Sequence, residues 1–150
     1  MTDLQDLYQS IILDHNRRPK NYGTLEGATN RAEGRNPLCG DEVVVELTVS
    51  GDTIVDVHFS GSGCAVSRAA ASIMTQAVKG KSRQEAERLF EQFHQLVTGK
   101  LKPTPQEARA MGEMAAFSGV FRFPIRVKCA SMPWHTLHKA LRDDDGGSTP

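Results

Sequence analysis

Three cysteines and one aspartate are the side chains of this 150-residue chain whose types and spacing point to chemistry. Cys39 is followed by Gly40 and Asp41, Cys64 follows a Gly-Ser-Gly segment, and Cys129 follows a short basic segment. Each cysteine lies where a loop is expected to give way to regular structure. Three thiolates and one carboxylate fit a single tetrahedral zinc ion. The sequence therefore predicts a metal-handling or sulfur-handling site built from Cys39, Asp41, Cys64 and Cys129.

The long separations along the chain exclude a local zinc knuckle, so this site can form only through tertiary folding. Cys64 is expected near a helix N-terminus, where free N–H groups and the helix dipole favour a thiolate. The alternative is that the three cysteines are small apolar side chains, since the chain has no CxxC pair. Asp41, likewise, is either a metal ligand or a cap of a turn or helix. The residues alone leave these alternatives open.

Basic residues lie close to each cysteine: Arg35, Arg68, Arg126 and Lys128. Such cations would lower the pKa of the thiols and offset the negative charge of the site. Arg126 and Lys128 are therefore candidate auxiliary residues; the alternative is that they are solvated surface cations.

Two histidines of the last predicted helix, His135 and His138, have the i, i+3 spacing of a possible second metal pair. No acid or thiol near them in the sequence completes such a site. We therefore interpret them as surface histidines, and His15 and His58 as structural ones.

The composition argues against several classes of function. Eighteen basic and eighteen acidic residues leave no formal net charge, which makes nucleic acid a poor candidate partner. No apolar run reaches the roughly 18 residues of a membrane span. The acidic N-terminus lacks signal-peptide features, and an odd number of cysteines argues for reduced thiols. We expect a cytoplasmic protein.

Hydrophobic periodicity predicts an α+β fold, with a small antiparallel sheet packed against several helices. The sheet would consist of a hairpin and a short edge strand. We expect one domain over residues 1–142 and a disordered acidic tail over 143–150. The predicted elements are helices over 3–15, 64–78, 82–96, 104–116 and 126–141, strands over 42–49 and 53–59, and an edge strand over 28–33. Pro133 predicts a kink or a late start in the last helix.

The three cysteine segments, residues 38–41, 61–67 and 126–130, resemble the motifs of iron–sulfur cluster assembly proteins of the IscU/NifU N-terminal superfamily. The resemblance extends to residues 7–21 and covers almost the whole chain. Lys128 stands where IscU-type scaffolds carry a histidine before the third cysteine. Residues 99–119 also resemble an insertion of the SufU branch. The chain is thus identified as SufU-like.

This resemblance implies a zinc-dependent sulfur acceptor that stimulates a SufS-like cysteine desulfurase. Zinc would be held by Cys39, Asp41, Cys64 and Cys129. A histidine of the desulfurase would displace Cys39, which would then take the persulfide sulfur and pass it to the downstream iron–sulfur assembly complex. Pyridoxal phosphate would belong to the partner.

Two other functions remain open at this point. One is a scaffold on which an iron–sulfur cluster is assembled by the same thiolates, and Lys128 argues against it because lysine is a poor cluster ligand. The other is an adaptor domain with a purely structural zinc ion.

Overall fold

A computed structural model of the chain describes residues 2–38 and 40–142, with side chains from Leu4 onward. Two sequence predictions fall outside the described residues: the ligand Cys39 and the tail over 143–150.

The described residues form five α-helices, two short 3₁₀ turns and one three-stranded sheet, which confirms the predicted α+β fold. In chain order the elements are α1 (Thr2–Arg17), β1 (Asn30–Asn36), β2 (Asp41–Ser50), β3 (Thr53–Ser62), α2 (Ala65–Val78), α3 (Arg83–Val97), α4 (Pro105–Met111), the 3₁₀ turns Gly112–Phe117 and Val120–Arg122, and α5 (Pro124–Leu141).

The sheet is antiparallel with the order β1-β2-β3. Its hairpin turns at Gly51, whose φ of 60° is in the left-handed region that glycine adopts readily. Along β2, Val43, Val45 and Leu47 are buried and alternate with more exposed residues. Asp41 occupies the same face at the start of the strand, so its carboxylate lies at the end of the core-facing row.

Three elements have a boundary that differs from the prediction by three residues or more. The edge strand covers Asn30–Asn36 rather than 28–33, because its pairing with β2, not its own weak pattern, sets its position. β3 continues to Ser62. The predicted helix over 104–116 ends at Met111, and a 3₁₀ turn follows Gly112, whose φ is 64°.

The last helix, α5, begins at Pro124, two residues earlier than predicted, and runs through Pro133. A late start is therefore excluded. Proline suits the first helical position because its missing N–H would have no partner there. Pro133 cannot donate the helical N–H that would reach the carbonyl of Cys129 one turn earlier, so α5 loses one ladder hydrogen bond beside the third cysteine.

The core lies between one face of the sheet and the helices. Its largest fully buried side chains include Trp134, Phe93 and Phe117. Phe93 stacks on Trp134 with ring centres 5.1 Å apart and meets Phe117 edge to face at 5.4 Å. These rings join α3, α5 and the first 3₁₀ turn. None of the described helices has the length and apolar character needed to cross a lipid bilayer.

Gly34 in β1 allows α5 to pack closely on the sheet. A Cβ atom at this position would overlap the Thr136 hydroxyl and lie 3.3 Å from the Met132 sulfur. The Thr136 hydroxyl is itself buried and donates to the Met132 carbonyl at 2.8 Å. Close contact at this point fixes the height of α5, and therefore of Cys129, above the strands.

We predict that Gly34→Ala destabilises the protein by about 1–3 kcal/mol, because the added methyl group overpacks the contact between β1 and α5. Urea unfolding measures the change. Gly119→Ala is the matched control: its φ is −95° and a Cβ there meets nothing within 4 Å. We expect its stability to stay within about 0.5 kcal/mol of the parent. Equal midpoints for the two variants would contradict the proposed close contact.

Candidate metal centre

Three of the four predicted ligands come together in the structure. One ligand atom from each of Asp41, Cys64 and Cys129 lies within 4.8 Å of the other two. Among the described residues, this is the one group of three or more His, Cys, Asp or Glu side chains that meets this spacing. Asp41 and Cys129 are buried and Cys64 is half-buried. Tertiary folding thus joins β2, the start of α2 and α5 at one point, as the sequence predicts.

Cys64 is placed by the start of α2, as expected. It is the N-cap residue, and its sulfur accepts a hydrogen bond from the Ser67 N–H at 3.4 Å. An N-cap side chain satisfies one of the N–H groups that a helix start leaves without a partner. The same geometry stabilises negative charge on the sulfur.

Asp41 accepts a hydrogen bond from Cys64. Its Oδ1 accepts from the Cys64 N–H at 2.9 Å, and its Oδ2 lies 3.6 Å from the Cys64 sulfur. Asp41 is therefore both a cap of the backbone and a candidate ligand. A carboxylate and a thiolate at this separation repel each other unless a proton or a cation lies with them. The pair is thus suited to binding a cation.

Gly63 leaves the room that this contact needs. A Cβ at Gly63 would lie 3.1 Å from the Asp41 Oδ1 and 3.2 Å from the Ser67 hydroxyl. Both neighbours are buried, so neither can easily move away. Steric crowding by Asp41 and Ser67 therefore favours glycine at the position before Cys64.

Cys129 is 3% exposed and lies in the first half of α5. The Asn36 side-chain N–H group points to its sulfur at 3.9 Å, a long contact, while the Asn36 Oδ1 accepts from the Leu38 N–H at 3.2 Å. Asn36 thus connects the segment before Cys39 to the third cysteine. The sequence analysis did not identify Asn36 as a site residue. The one indication was that it is a polar residue in the same segment, 36–41, as Cys39 and Asp41.

The two auxiliary candidates lie on the outer side of α5. The Arg126 guanidinium stacks over the Phe123 ring, 4.8 Å from its centre. Lys128 is exposed and lines a cavity of about 410 Å³. Direct action of either residue at the site stays a prediction.

The other two cations have contacts with residues near them. Arg35 lies 3.8 Å from the Glu42 carboxylate, and both side chains are largely exposed. Arg68 stacks over the Tyr22 ring at 5.2 Å. The Glu42 carboxylate therefore partly offsets the positive charge of Arg35, and the Tyr22 ring partly stabilises that of Arg68.

The donor set fits a borderline or soft metal ion. Two cysteine sulfurs and one carboxylate oxygen suit Zn²⁺, and cysteine sulfurs also bind iron–sulfur clusters. They do not suit Mg²⁺ or Ca²⁺, which prefer oxygen ligands. Cys39 precedes Asp41 by two residues, and its role as the fourth ligand stays a prediction because it is outside the described residues.

Comparison with known proteins places the chain in a family. The family model described as NifU-like N terminal domain matches residues 7–130. The chain belongs to this family. Its relatives include a Bacillus subtilis protein named zinc-dependent sulfurtransferase SufU, 36% identical over 97% of each chain. A Streptococcus pyogenes protein named iron–sulfur cluster assembly scaffold protein IscU is 37% identical over 95% of this chain and 87% of its own.

Solved structures agree with the family assignment. A putative iron–sulfur cluster assembly scaffold protein for the SUF system, from Fervidobacterium islandicum, has a TM-score of 0.80 and 37% identity over 87% of this chain and 93% of its own. A NifU-like N-terminal protein of Brucella abortus shares the fold, with a TM-score of 0.82 at 19% identity over 95% of this chain and 97% of its own. The IscU/SufU resemblance expected from the cysteine segments is thereby confirmed.

We predict that Asn36→Ala increases the alkylation rate of Cys129 in chelator-treated protein, because the sulfur loses a neighbouring amide. Mass spectrometry of the modified peptide measures the rate. Asn30→Ala is the matched control: Asn30 is a buried amide at the other end of β1 and also donates to α5, at the Ala140 carbonyl (2.9 Å).

Loss of either buried amide is expected to cost about 1–3 kcal/mol of stability. Only Asn36→Ala is expected to change Cys129 reactivity beyond this shared effect. A similar rise in alkylation for both variants would mean that Asn36 acts on the fold and not on the sulfur.

Proposed function

We propose that this protein is a zinc-dependent sulfur acceptor for iron–sulfur cluster biogenesis, which takes persulfide sulfur from a cysteine desulfurase onto Cys39. The observation that carries the proposal is the convergence of Asp41, Cys64 and Cys129 on one point. The Bacillus subtilis relative named a zinc-dependent sulfurtransferase, which matches over 97% of both chains, supports the same function. The chain itself would act with its partner and needs no organic cofactor of its own.

The contacts of Cys64 and Cys129 support a lasting ligand role for these two cysteines. Cys64 is held by the α2 N-terminus and by Asp41, and Cys129 lies buried beside Asn36. Hydrogen bonds of this kind hold a sulfur in place and stabilise its charge. Cys64 and Cys129 are thus suited to be permanent ligands, and we assign the exchange to Cys39, as the resemblance implies.

The transfer step is a thiol exchange. Bound zinc supplies one thing: it keeps its cysteine ligands deprotonated at neutral pH. Docking of the desulfurase frees the Cys39 thiolate, which attacks the outer sulfur of the partner's persulfide. The sulfur–sulfur bond of the partner breaks, its electron pair leaves on the partner's cysteine, and a persulfide forms on Cys39.

A scaffold for cluster assembly is the second candidate function. It is supported by the Streptococcus pyogenes relative, which is named a scaffold protein. Lys128 argues against it, because the residue before Cys129 then offers an ammonium group rather than an imidazole. Metal analysis and the absorption spectrum of aerobically purified protein separate the two: one zinc and no visible bands favour sulfur transfer, and a brown cluster-bearing protein favours the scaffold.

We predict that Cys39→Ala abolishes stimulation of the cognate desulfurase, because the attacking thiolate is gone. Desulfurase turnover with and without the protein is the measurement, with zinc content determined in parallel. In the unaltered protein, mass spectrometry should find one extra sulfur atom on the Cys39 peptide after incubation with the desulfurase and L-cysteine. Full stimulation by the variant would sink the assignment of Cys39 as acceptor.

We predict that Asp41→Asn weakens zinc binding at least about tenfold, or ~1.4 kcal/mol, because the amide keeps the size of the side chain but removes its charge. A chelator competition titration measures the affinity. Asp52→Asn, in the exposed hairpin turn, is the control and should bind zinc like the parent. An unchanged affinity in Asp41→Asn would remove Asp41 from the ligand set.

A further inference from the structure

A broad apolar groove lies along the first half of α1. Its volume is about 690 Å³, and its lining comes from α1, from α4 with the segment before it, and from the two 3₁₀ turns. The α1 side is formed by Leu4, Leu7, Tyr8 and Ile11. No residue of the groove lining belongs to the cysteine cluster.

The apolar face of α1 in this groove is only partly covered by the fold. Tyr8 and Ile11 pack against the core, whereas Leu4 and Leu7 are each 54% exposed. The four residues have the i, i+3, i+4, i+7 spacing of a single helix face that is normally buried. Isolated exposed leucines are common on protein surfaces, but these two continue a buried row and line one cavity.

Both sides of the groove are fixed in position. At the end of α1, the buried His15 contacts the Ser72 hydroxyl at 2.7 Å through Nδ1 and the Glu113 carboxylate at 2.9 Å through Nε2. These contacts agree with the structural role expected for His15. The start of α4 is fixed by the capping box of Thr104 and Glu107. A surface that already has its shape loses less conformational entropy when it is occupied.

Three cations line the groove. The Lys102 ammonium and the Arg122 guanidinium each lie 5.6 Å from the centre of the Phe121 ring, and Arg109 is the third cation. None of the three forms an ion pair with any of the residues that the structure describes. The one acid of the described lining is Glu113, which is already engaged by the buried histidine. The groove therefore has unbalanced positive charge beside its apolar surface.

These features define the chemistry of a suitable occupant. Apolar side chains would cover the exposed leucines, and carboxylates would pair with the cations. The face from Leu4 to Ile11 is about 10 Å long, which corresponds to two turns of a helix. Amphipathic helices bind grooves of this kind through apolar residues at i, i+3 or i+4, and i+7.

Other occupants fit the groove less well. The acidic segment of this chain, residues 143–145, is followed by Gly-Gly-Ser-Thr-Pro and offers no large apolar side chain. A second copy of α1 carries Asp3 and Asp6, but its apolar face already lines its own groove. A small acyl ligand would be buried by roughly 70–90% in a typical pocket, whereas Leu4 and Leu7 leave this groove open.

We propose that the groove is a docking site for an acidic amphipathic helix of another protein. The apolar face of that helix covers Leu4 and Leu7, and its flanking carboxylates pair with Lys102, Arg109 and Arg122. Docking uses no residue of the cysteine cluster and requires no bound metal.

Fluorescence titration of the full chain with two labelled synthetic peptides tests the proposal. Both are helical, about 16 residues long, and have the same leucine pattern; the flanking residues are glutamate in one and lysine in the other. We expect the glutamate peptide to bind one per chain and the lysine peptide to bind at least about tenfold more weakly. Added salt should narrow the difference, because exposed charges are screened.

Two leucine variants locate the binding surface. Leu7→Gln should weaken binding of the glutamate peptide at least about fivefold. Leu13→Gln is the matched control, because Leu13 is 48% exposed on the same helix but does not line this groove. We expect it to leave binding within about twofold.

Two pairs of cation variants test the charge requirement. Lys102→Gln combined with Arg122→Gln should reduce the preference for the glutamate peptide at least about threefold. Lys81→Gln combined with Arg142→Gln removes the same charge from exposed positions outside the groove and should leave the preference unchanged.

Equal binding of the two peptides, no binding of the glutamate peptide, or equal losses in the two leucine variants overturns the proposal. Sedimentation equilibrium of the chain alone tests the second copy: a dimer that Leu7→Gln dissociates assigns the groove to self-association. Displacement of the glutamate peptide by dodecanoate, at concentrations below those at which the peptide binds, assigns the groove to an acyl chain. Either of these results also overturns docking of a partner helix.

Discussion

The buried contact between the Asp41 carboxylate and Cys64 is the interaction on which the functional site depends. Asp41 is 1% exposed, so its carboxyl group depends on neighbouring protein groups rather than on bulk water for its hydrogen bonds. One oxygen is satisfied by the Cys64 N–H and the other faces the Cys64 sulfur. The two acidic groups can lie this close when a proton or a cation lies with them. The fold therefore forms a position suited to a cation at the end of its own core.

The sheet and α5 supply the frame that keeps this contact in register. β1 is buried mainly at its two ends, where Asn30 and Asn36 both reach α5. Between them Gly34 admits the Thr136 side chain. α5 is thus positioned at three points along one strand. This arrangement explains how a buried cysteine from the end of the chain meets residues from its first half.

Much of the fold was predictable from the sequence because the pattern of each element agrees with its tertiary setting. The alternation in β2 gives the hairpin and also places Asp41 on the core face. The capping box at Thr104 and Glu107 gives the start of α4. The edge strand was misplaced because its polar sequence has almost no periodicity, and its bounds come from pairing with β2.

The residues of the candidate site were predictable only in part. Cys64 and Cys129 were found by residue type, and Asp41 by its place beside Cys39. Asn36 was missed because a contact between an amide and a sulfur 93 positions away has no local pattern. The contact between His138 and Glu87, outside that site, was missed for the same reason, since another helix supplies the acid. Local spacing identifies donors, whereas packing decides which of them meet.

The wide separation of Asn36 and Cys129 along the chain also has a consequence during translation. At about 5–20 residues per second, a ribosome needs roughly 5 to 19 seconds to add the 93 positions between them. Throughout that interval the early donors have emerged, or are emerging, without the helix that completes their surroundings. Metal acquisition by the whole donor set is therefore expected only after Cys129 has been added to the growing polypeptide.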